Sequence, residues 1–258
     1  MADGFAVVTG ASSGIGYELA ACAAGDGYEL LIVADEPEIR AAGSRLAGHG
    51  RSVETLVADL ASPEGRDALW KKIGARPVDL FFANAGRALG HAFHEQSLEA
   101  IYRMVDLNVA QTTILLHRMV IRMNTFGKGR ILVTGSIAGY MPGPYDAVYN
   151  ATKAYLDSLC IAVREELGDA APSVTCLMPG PTDTLLFDRA GLGDAAIAED
   201  ARLGDASTVA QAGYDAMMAG KAGVVPGVTN RLATMFAGII PNDMLARIHA
   251  ARARQASD

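Results

Sequence analysis

Tyr149 and Lys153 stand four residues apart, and Ser136 lies thirteen residues before the tyrosine. On a helix, that step puts the phenol and the ammonium on one face. A phenol with a pKa near ~10 is a poor base at neutral pH, and an ammonium held close by favours the phenolate and lowers that value. A neighbouring serine hydroxyl can hydrogen-bond the oxygen that gains or loses charge when a carbonyl becomes an alcohol. The three residues read as proton-transfer machinery for a carbinol and its ketone. Tyr-x-x-x-Lys alone also arises by chance on any helix, so the reading depends on the rest of the chain.

Thr9-Gly10-Ala11-Ser12-Ser13-Gly14-Ile15-Gly16 follows a short apolar run and opens a helix-like stretch. Glycines there let the backbone approach a pyrophosphate, and the helix N-terminus offers N–H groups and a favourable dipole. Asp35 closes the second apolar run, nineteen residues beyond Gly16. A carboxylate at that place accepts both hydroxyls of an adenosine ribose and repels a 2′-phosphate. No basic residue stands at Ser13 or Glu36, and Glu38 adds negative charge. NAD is therefore the expected cofactor, with NADP the alternative if Arg40 turns inward. Without a nucleotide, Asp35 reads as an N-cap for the following helix.

The elements that must position these residues alternate regularly. Apolar runs at 5–9, 29–34, 53–58, 78–83, 130–135, 173–178 and 223–226 are strand candidates. Helix-like stretches at 14–24, 37–48, 63–74, 97–126, 149–168 and 207–219 separate them. The runs are apolar throughout, as strands covered on both faces are. Such alternation predicts an α/β fold, a three-layer doubly wound parallel sheet, in a single domain over 1–258. Residues 183–206, polar and punctuated by Gly191, Gly193 and Gly204, read as a substrate lid or a plain surface excursion.

Composition sets limits. The chain has 258 residues, 50% hydrophobic and 20% charged, with a net charge of -7. That acidity argues against nucleic acid as a partner. Cys22, Cys160 and Cys176 are odd in number and sit in apolar sequence, which predicts reduced thiols in a cytoplasmic protein. No His/Cys/Asp cluster has metal-ligand spacing, so no metal is expected. No apolar run approaches the ~20 residues of a membrane span, and the N-terminus lacks the features of a signal peptide. The apolar segment 232–248, interrupted by Pro241, reads as a core or intersubunit contact rather than a membrane-surface helix.

Taken in order, these motifs resemble the short-chain dehydrogenases/reductases over nearly the whole chain. The glycine turn, Ala58-Asp59-Leu60, Ala83-Asn84-Ala85-Gly86, Asn108, Ser136, Tyr149, Lys153 and Pro179-Gly180 fall in the family's sequence. The resemblance implies Tyr149 as acid/base, Ser136 as holder of the substrate oxygen, and Lys153 as tuner of the tyrosine and ligand of the nicotinamide ribose. Asn108 would hold open a helix kink for a water chain to Lys153. Asp59 and Leu60 would flank the adenine, while Asn84, Ala85 and Gly86 would line the middle of the cofactor. Thr184 matches the threonine that contacts the carboxamide, with Thr182 a second candidate. The family's usual first asparagine is Ala83 here, from which a small structural effect is expected.

Two other functions compete. A nucleotide sensor or scaffold that has lost catalysis needs no paired phenol and ammonium. A nucleotide-sugar epimerase would bring a larger C-terminal domain and a different glycine spacing. The expected substrate is a neutral hydrophobic alcohol or ketone, because Ile137, Tyr140, Met141, Tyr145, Leu185, Leu186 and Phe187 include no cation. His91 and His94 read as solvated residues near the substrate mouth. Apolar surplus on the helices at 108–126 and 149–168 predicts a homotetramer, or at least a homodimer. The residues that predict it are Ile114, Leu115, Met119, Val120, Leu156, Leu159, Cys160 and Val163.

Overall fold

The computed structural model describes residues 4–169, 172–182, 204–237 and 239–255. The apolar runs form seven parallel strands: β1 (Phe5–Thr9), β2 (Glu29–Ala34), β3 (Val53–Val57), β4 (Leu80–Ala83), β5 (Arg130–Thr134), β6 (Ser173–Leu177) and β7 (Gly223–Val224). They pair in the order β3-β2-β1-β4-β5-β6-β7. Several strands stop a residue or two short of the apolar run, yet the bonding carries on past them. Ala58 donates to Ala34, Gly135 to Leu177 and Met178 to Val224, at 2.8, 2.8 and 2.9 Å.

Helices cover both faces, which is why the strands are apolar on both sides. Val7, Phe81, Ile131 and Val133 point into one core with α3 (Pro63–Ile73), α5 (Thr112–Phe126) and α6 (Ala147–Leu167). Ala6, Val8, Phe82 and Leu132 point into the other with α1 (Gly14–Gly25), α2 (Ile39–Leu46) and α7 (Ala206–Met218). The order reverses between β1 and β4, and in such sheets ligands bind outside the carboxyl ends of the strands at that switch point.

The helix expected over 97–126 forms from Leu98 to Phe126, but it is not α-helical throughout. It divides into α4 (Leu98–Val105), a π-helical segment (Asp106–Gln111) and α5. The buried face runs on through Met104, Leu107, Asn108, Gln111 and Leu115, so apolar periodicity carries no sign of the break. Asp35 is not the N-cap of the next helix either, because α2 begins at Ile39 with Glu38 before it.

Residues 228–237 and 242–255 form two further helices, α8 and α9, on either side of Pro241. Leu232, Met235 and Phe236 of α8 remain exposed, while Thr234 and Ala237 are buried. Of the 183–206 excursion, 183–203 lies outside the described residues. Its ends meet in a parallel β-bridge between Thr182 and Gly204. No helix among the described residues is long and apolar enough to cross a membrane.

Candidate active site

The glycine turn between β1 and α1 is shaped for close approach. Gly10 has φ +67°, a left-handed conformation that favours glycine. A Cβ on Gly16 would lie 2.1 Å from the Gly10 carbonyl oxygen, so only glycine fits where helix and turn touch. Ser13, the N-cap of α1, makes no side-chain capping bond, and the first turn, with Gly14, Ile15 and Gly16, has no acidic residue. The first turn of a helix leaves backbone N–H groups pointing outward. The turn therefore fits the pyrophosphate of a dinucleotide.

Polar bonds tie this turn to the strands beside it. Thr9 Oγ1 accepts the backbone N–H groups of Asn84 and Ala85 at 2.9 and 3.0 Å. Asn84 Nδ2 donates to the Thr9 and Gly10 carbonyls, and its Oδ1 accepts from Thr134 Oγ1 at 3.0 Å. The strand-tying role associated with the family's first asparagine is thus carried by the second. Ala83, buried in β4, leaves no gap in the bonding.

At the adenosine end, Asp35 is half-exposed and its carboxylate pairs with Arg87 Nη2 at 2.8 Å. The cation that meets Asp35 is thus Arg87 rather than Arg40. Ser12 donates its hydroxyl to Glu36, bringing a second carboxylate to the turn. Asp59 pairs with Arg103 at 3.1 Å and accepts from the Ala61 N–H, while Leu60 is buried beside it.

The proton-transfer residues converge at the carboxyl ends of β5 and β6. Ser136 follows β5 and is buried; its Oγ accepts the Ala138 N–H at 3.1 Å. The first turns of α6 carry Tyr149 and Lys153 toward it. Lys153 is buried and donates to the Thr134 carbonyl at 2.8 Å, with its Nζ 5.7 Å from the Tyr149 ring centroid.

Burial dominates both ionisations. It pushes Tyr149 up to about 12, against an opposing pull from its hydrogen bond to Ser136. It pushes Lys153 down to about 8, partly offset by the Asp157 carboxylate. Desolvation sets the direction of both shifts, and the lysine Nζ is directed at the Thr134 carbonyl.

Asn108 is buried within the π segment. Its Nδ2 donates to the Arg87 carbonyl and to Thr152 Oγ1, at 2.8 and 3.0 Å, and its Oδ1 accepts the Arg87 N–H at 2.8 Å. It joins the 84–87 segment to α6 one residue before Lys153. Gly86 faces the same point, since a Cβ there would lie 3.8 Å from Lys153 Nζ.

Sequence reasoning missed one further residue, Asp157, one turn beyond Lys153. It is buried, and its Oδ1 accepts the Ser136 N–H at 3.4 Å and the Cys176 thiol at 3.3 Å. Burial raises its pKa to about 6. The four-residue step from Lys153 was the available signal.

The substrate side is defined in part. Ile137 donates its N–H to the Pro179 carbonyl at 3.0 Å, and Gly180 packs against Asn230 of α8. Thr182 is buried and donates to the Gly180 carbonyl. Tyr140 donates to Met178 Sδ at 3.2 Å. Tyr145 has φ 73° and its carbonyl accepts from Gln96, which also ties down Gly90 and His91. His91 and His94 are exposed. Thr184, Leu185, Leu186 and Phe187 lie outside the described residues. No cluster of three or more His, Cys, Asp or Glu suited to a metal occurs among the described residues.

Known proteins are similar to this chain in sequence and in fold. A family model described as short chain dehydrogenase matches residues 4–193. An uncharacterised oxidoreductase of Staphylococcus saprophyticus is 30% identical over 188 residues, covering 71% of this chain and 80% of its own. Human 17-beta-hydroxysteroid dehydrogenase type 1 is 30% identical over 196 residues, 73% of this chain and 60% of the human enzyme. A short-chain dehydrogenase from Sphingobium yanoikuyae, solved in complex with NADPH, has a TM-score of 0.82 at 27% identity, covering 92% of this chain and 93% of that one. The bulky-bulky ketone specific alcohol dehydrogenase from Comamonas testosteroni has a TM-score of 0.77 at 25% identity, covering 92% of this chain and 93% of that one. Match, fold and site order agree: the chain belongs to the short-chain dehydrogenase family of Rossmann-fold oxidoreductases.

Proposed function

We propose that the protein is an NAD-dependent dehydrogenase/reductase that interconverts a secondary alcohol and a ketone on a neutral hydrophobic substrate. The observation that carries this reading is the convergence of Ser136, Tyr149 and Lys153 at the ends of β5 and α6, joined to the glycine turn through Thr134 and Asn84. When bound, the dinucleotide supplies the hydride donor or acceptor at its nicotinamide C4. Tyr149 exchanges the substrate's hydroxyl proton, and Ser136 orients that oxygen. Lys153 holds the nicotinamide ribose and biases the phenol toward its anion.

Asp35 favours the 2′-hydroxyl of NAD over the 2′-phosphate of NADP, supported by Glu36 in contact with Ser12. The NADPH bound to the Sphingobium relative makes NADP the natural comparison. Apolar Ile137 and Met141 beside Tyr140 support the hydrophobic substrate, as do the steroid and bulky-ketone enzymes among the relatives. The whole chain would act as one catalytic domain in the cytoplasm, assembled as a homotetramer.

A turnover screen with NAD and NADP across secondary alcohols and ketones, from small aliphatic to steroidal, tests the reading. We expect oxidation of at least one apolar alcohol with NAD. Absence of any turnover by a protein that binds the dinucleotide would return the sensor reading to favour.

A further inference from the structure

We infer that Arg87 is a phosphate clamp of the cofactor groove, held in reserve by Asp35 until a dinucleotide arrives. This rests on the dinucleotide reading above and adds a residue that the fingerprint motifs do not contain.

The sheet order carries the argument. Arg87 follows β4 and Asp35 ends β2, and β1 lies between those strands. An Nη2–Oδ2 contact of 2.8 Å between them must therefore pass across the carboxyl end of β1, where the glycine turn begins. The guanidinium therefore reaches across the strand end from which that turn leaves. Its backbone has little freedom, because Asn108 accepts the Arg87 N–H and donates to the Arg87 carbonyl, both at 2.8 Å. The side chain alone is left to move, and Arg87 and Asp35 are 46% and 38% exposed.

An ion pair this exposed contributes little to stability, so it yields readily to a better partner. A cofactor provides two at once. Its pyrophosphate offers the guanidinium charge-assisted, bidentate acceptors, and its ribose diol takes the released Asp35 carboxylate. The pair thus keeps a cation and an anion in the groove without leaving either charge bare. Glu36, engaged with Ser12 on the far side of the turn, keeps the 2′ corner acidic. That places the guanidinium's target at the pyrophosphate rather than at a 2′-phosphate.

The test measures binding rather than turnover. Affinities of NADH and NADPH are read from nicotinamide fluorescence for wild type, Arg87→Gln, Arg87→Lys and Asp35→Asn. ADP and adenosine are added as competitors against NADH. We expect Arg87→Gln to weaken NADH and ADP roughly tenfold or more, while adenosine, which has no phosphate, binds no worse. Arg87→Lys should fall between, since it keeps the charge and loses the fork. The salt dependence of NADH binding should be shallower in Arg87→Gln than in wild type. Unchanged NADH affinity in a folded Arg87→Gln protein, or equal losses for ADP and adenosine, overturns the clamp. Loss confined to NADPH overturns the pyrophosphate assignment. A wild type that binds neither nucleotide overturns the dinucleotide reading itself.

Discussion

Lys153 Nζ is anchored to the Thr134 carbonyl at 2.8 Å, so a strand end rather than the helix alone fixes where the ammonium sits. Thr134 also donates to Asn84, and Asn84 in turn holds the glycine turn. The charge near Tyr149 and the turn expected to cradle phosphate are therefore set by one bonded frame. Lys153→Met should lose both dinucleotide affinity and turnover by roughly tenfold or more each, since one amine serves two groups. Separate measurements of NADH binding and of kcat check it, and normal affinity would remove the ribose role.

Tyr149→Phe keeps the ring and removes the transferable proton. Turnover should fall at least a hundredfold, in keeping with general acid–base contributions of about 10²–10⁴, with NADH affinity nearly unchanged. Residual activity above about a tenth of wild type would rule out Tyr149 as the proton donor.

Asp35→Ala combined with Glu36→Arg should shift preference toward NADP. The change removes the carboxylate at the ribose and places a cation at the 2′ corner, together worth on the order of 1–3 kcal/mol. The ratio of kcat/KM for NAD and NADP is the measurement. A wild type that already prefers NADP would overturn this reading of Asp35.

Asp157 gives a pH-dependent test. Its folded pKa of about 6 lies above the ordinary 3.8. Below the ordinary value both states are neutral. As pH rises through 6 the folded protein must bury a carboxylate, and stability falls. Asp157→Asn does not titrate, so it should match wild type near pH 4 and exceed it at pH 8 by roughly 1–3 kcal/mol. Denaturant melts at the two pH values decide; an equal difference at both would mean the carboxylate is not the cause.

The apolar residues read from the two long helices divide between a face on the sheet and a face left outside it. Leu115, Met119, Leu156 and Cys160 are in the core, with Val120, Leu159 and Val163 packed against it. On α4, α5 and α6 the large exposed apolar residues are Leu98 and Tyr102, Ile121 and Phe126, and Tyr155 and Ile161 respectively. A tetramer using these helices should be broken by Tyr155→Glu with Ile161→Glu. Light scattering at micromolar concentration should give a tetrameric mass for wild type and a smaller one for the double variant.

Much of this was legible beforehand because it is local. The seven strands and the glycine turn are runs of residue type, and Tyr149 with Lys153 is a helical spacing. What escaped is non-local or lies across the periodicity. Arg87 and Asp35 are joined only because sheet order brings β4 and β2 to either side of β1. The π segment hides because widening a helix by one residue leaves its buried stripe unbroken. The fall in Lys153's pKa and the rise in Tyr149's reflect how deeply each is enclosed, which no spacing records.

The Thr182–Gly204 bridge joins the two ends of the excursion that separates β6 from α7. With those ends fastened, the length and composition between them can drift without shifting the register of the sheet, since the entropy of closing a loop rises only slowly with its length.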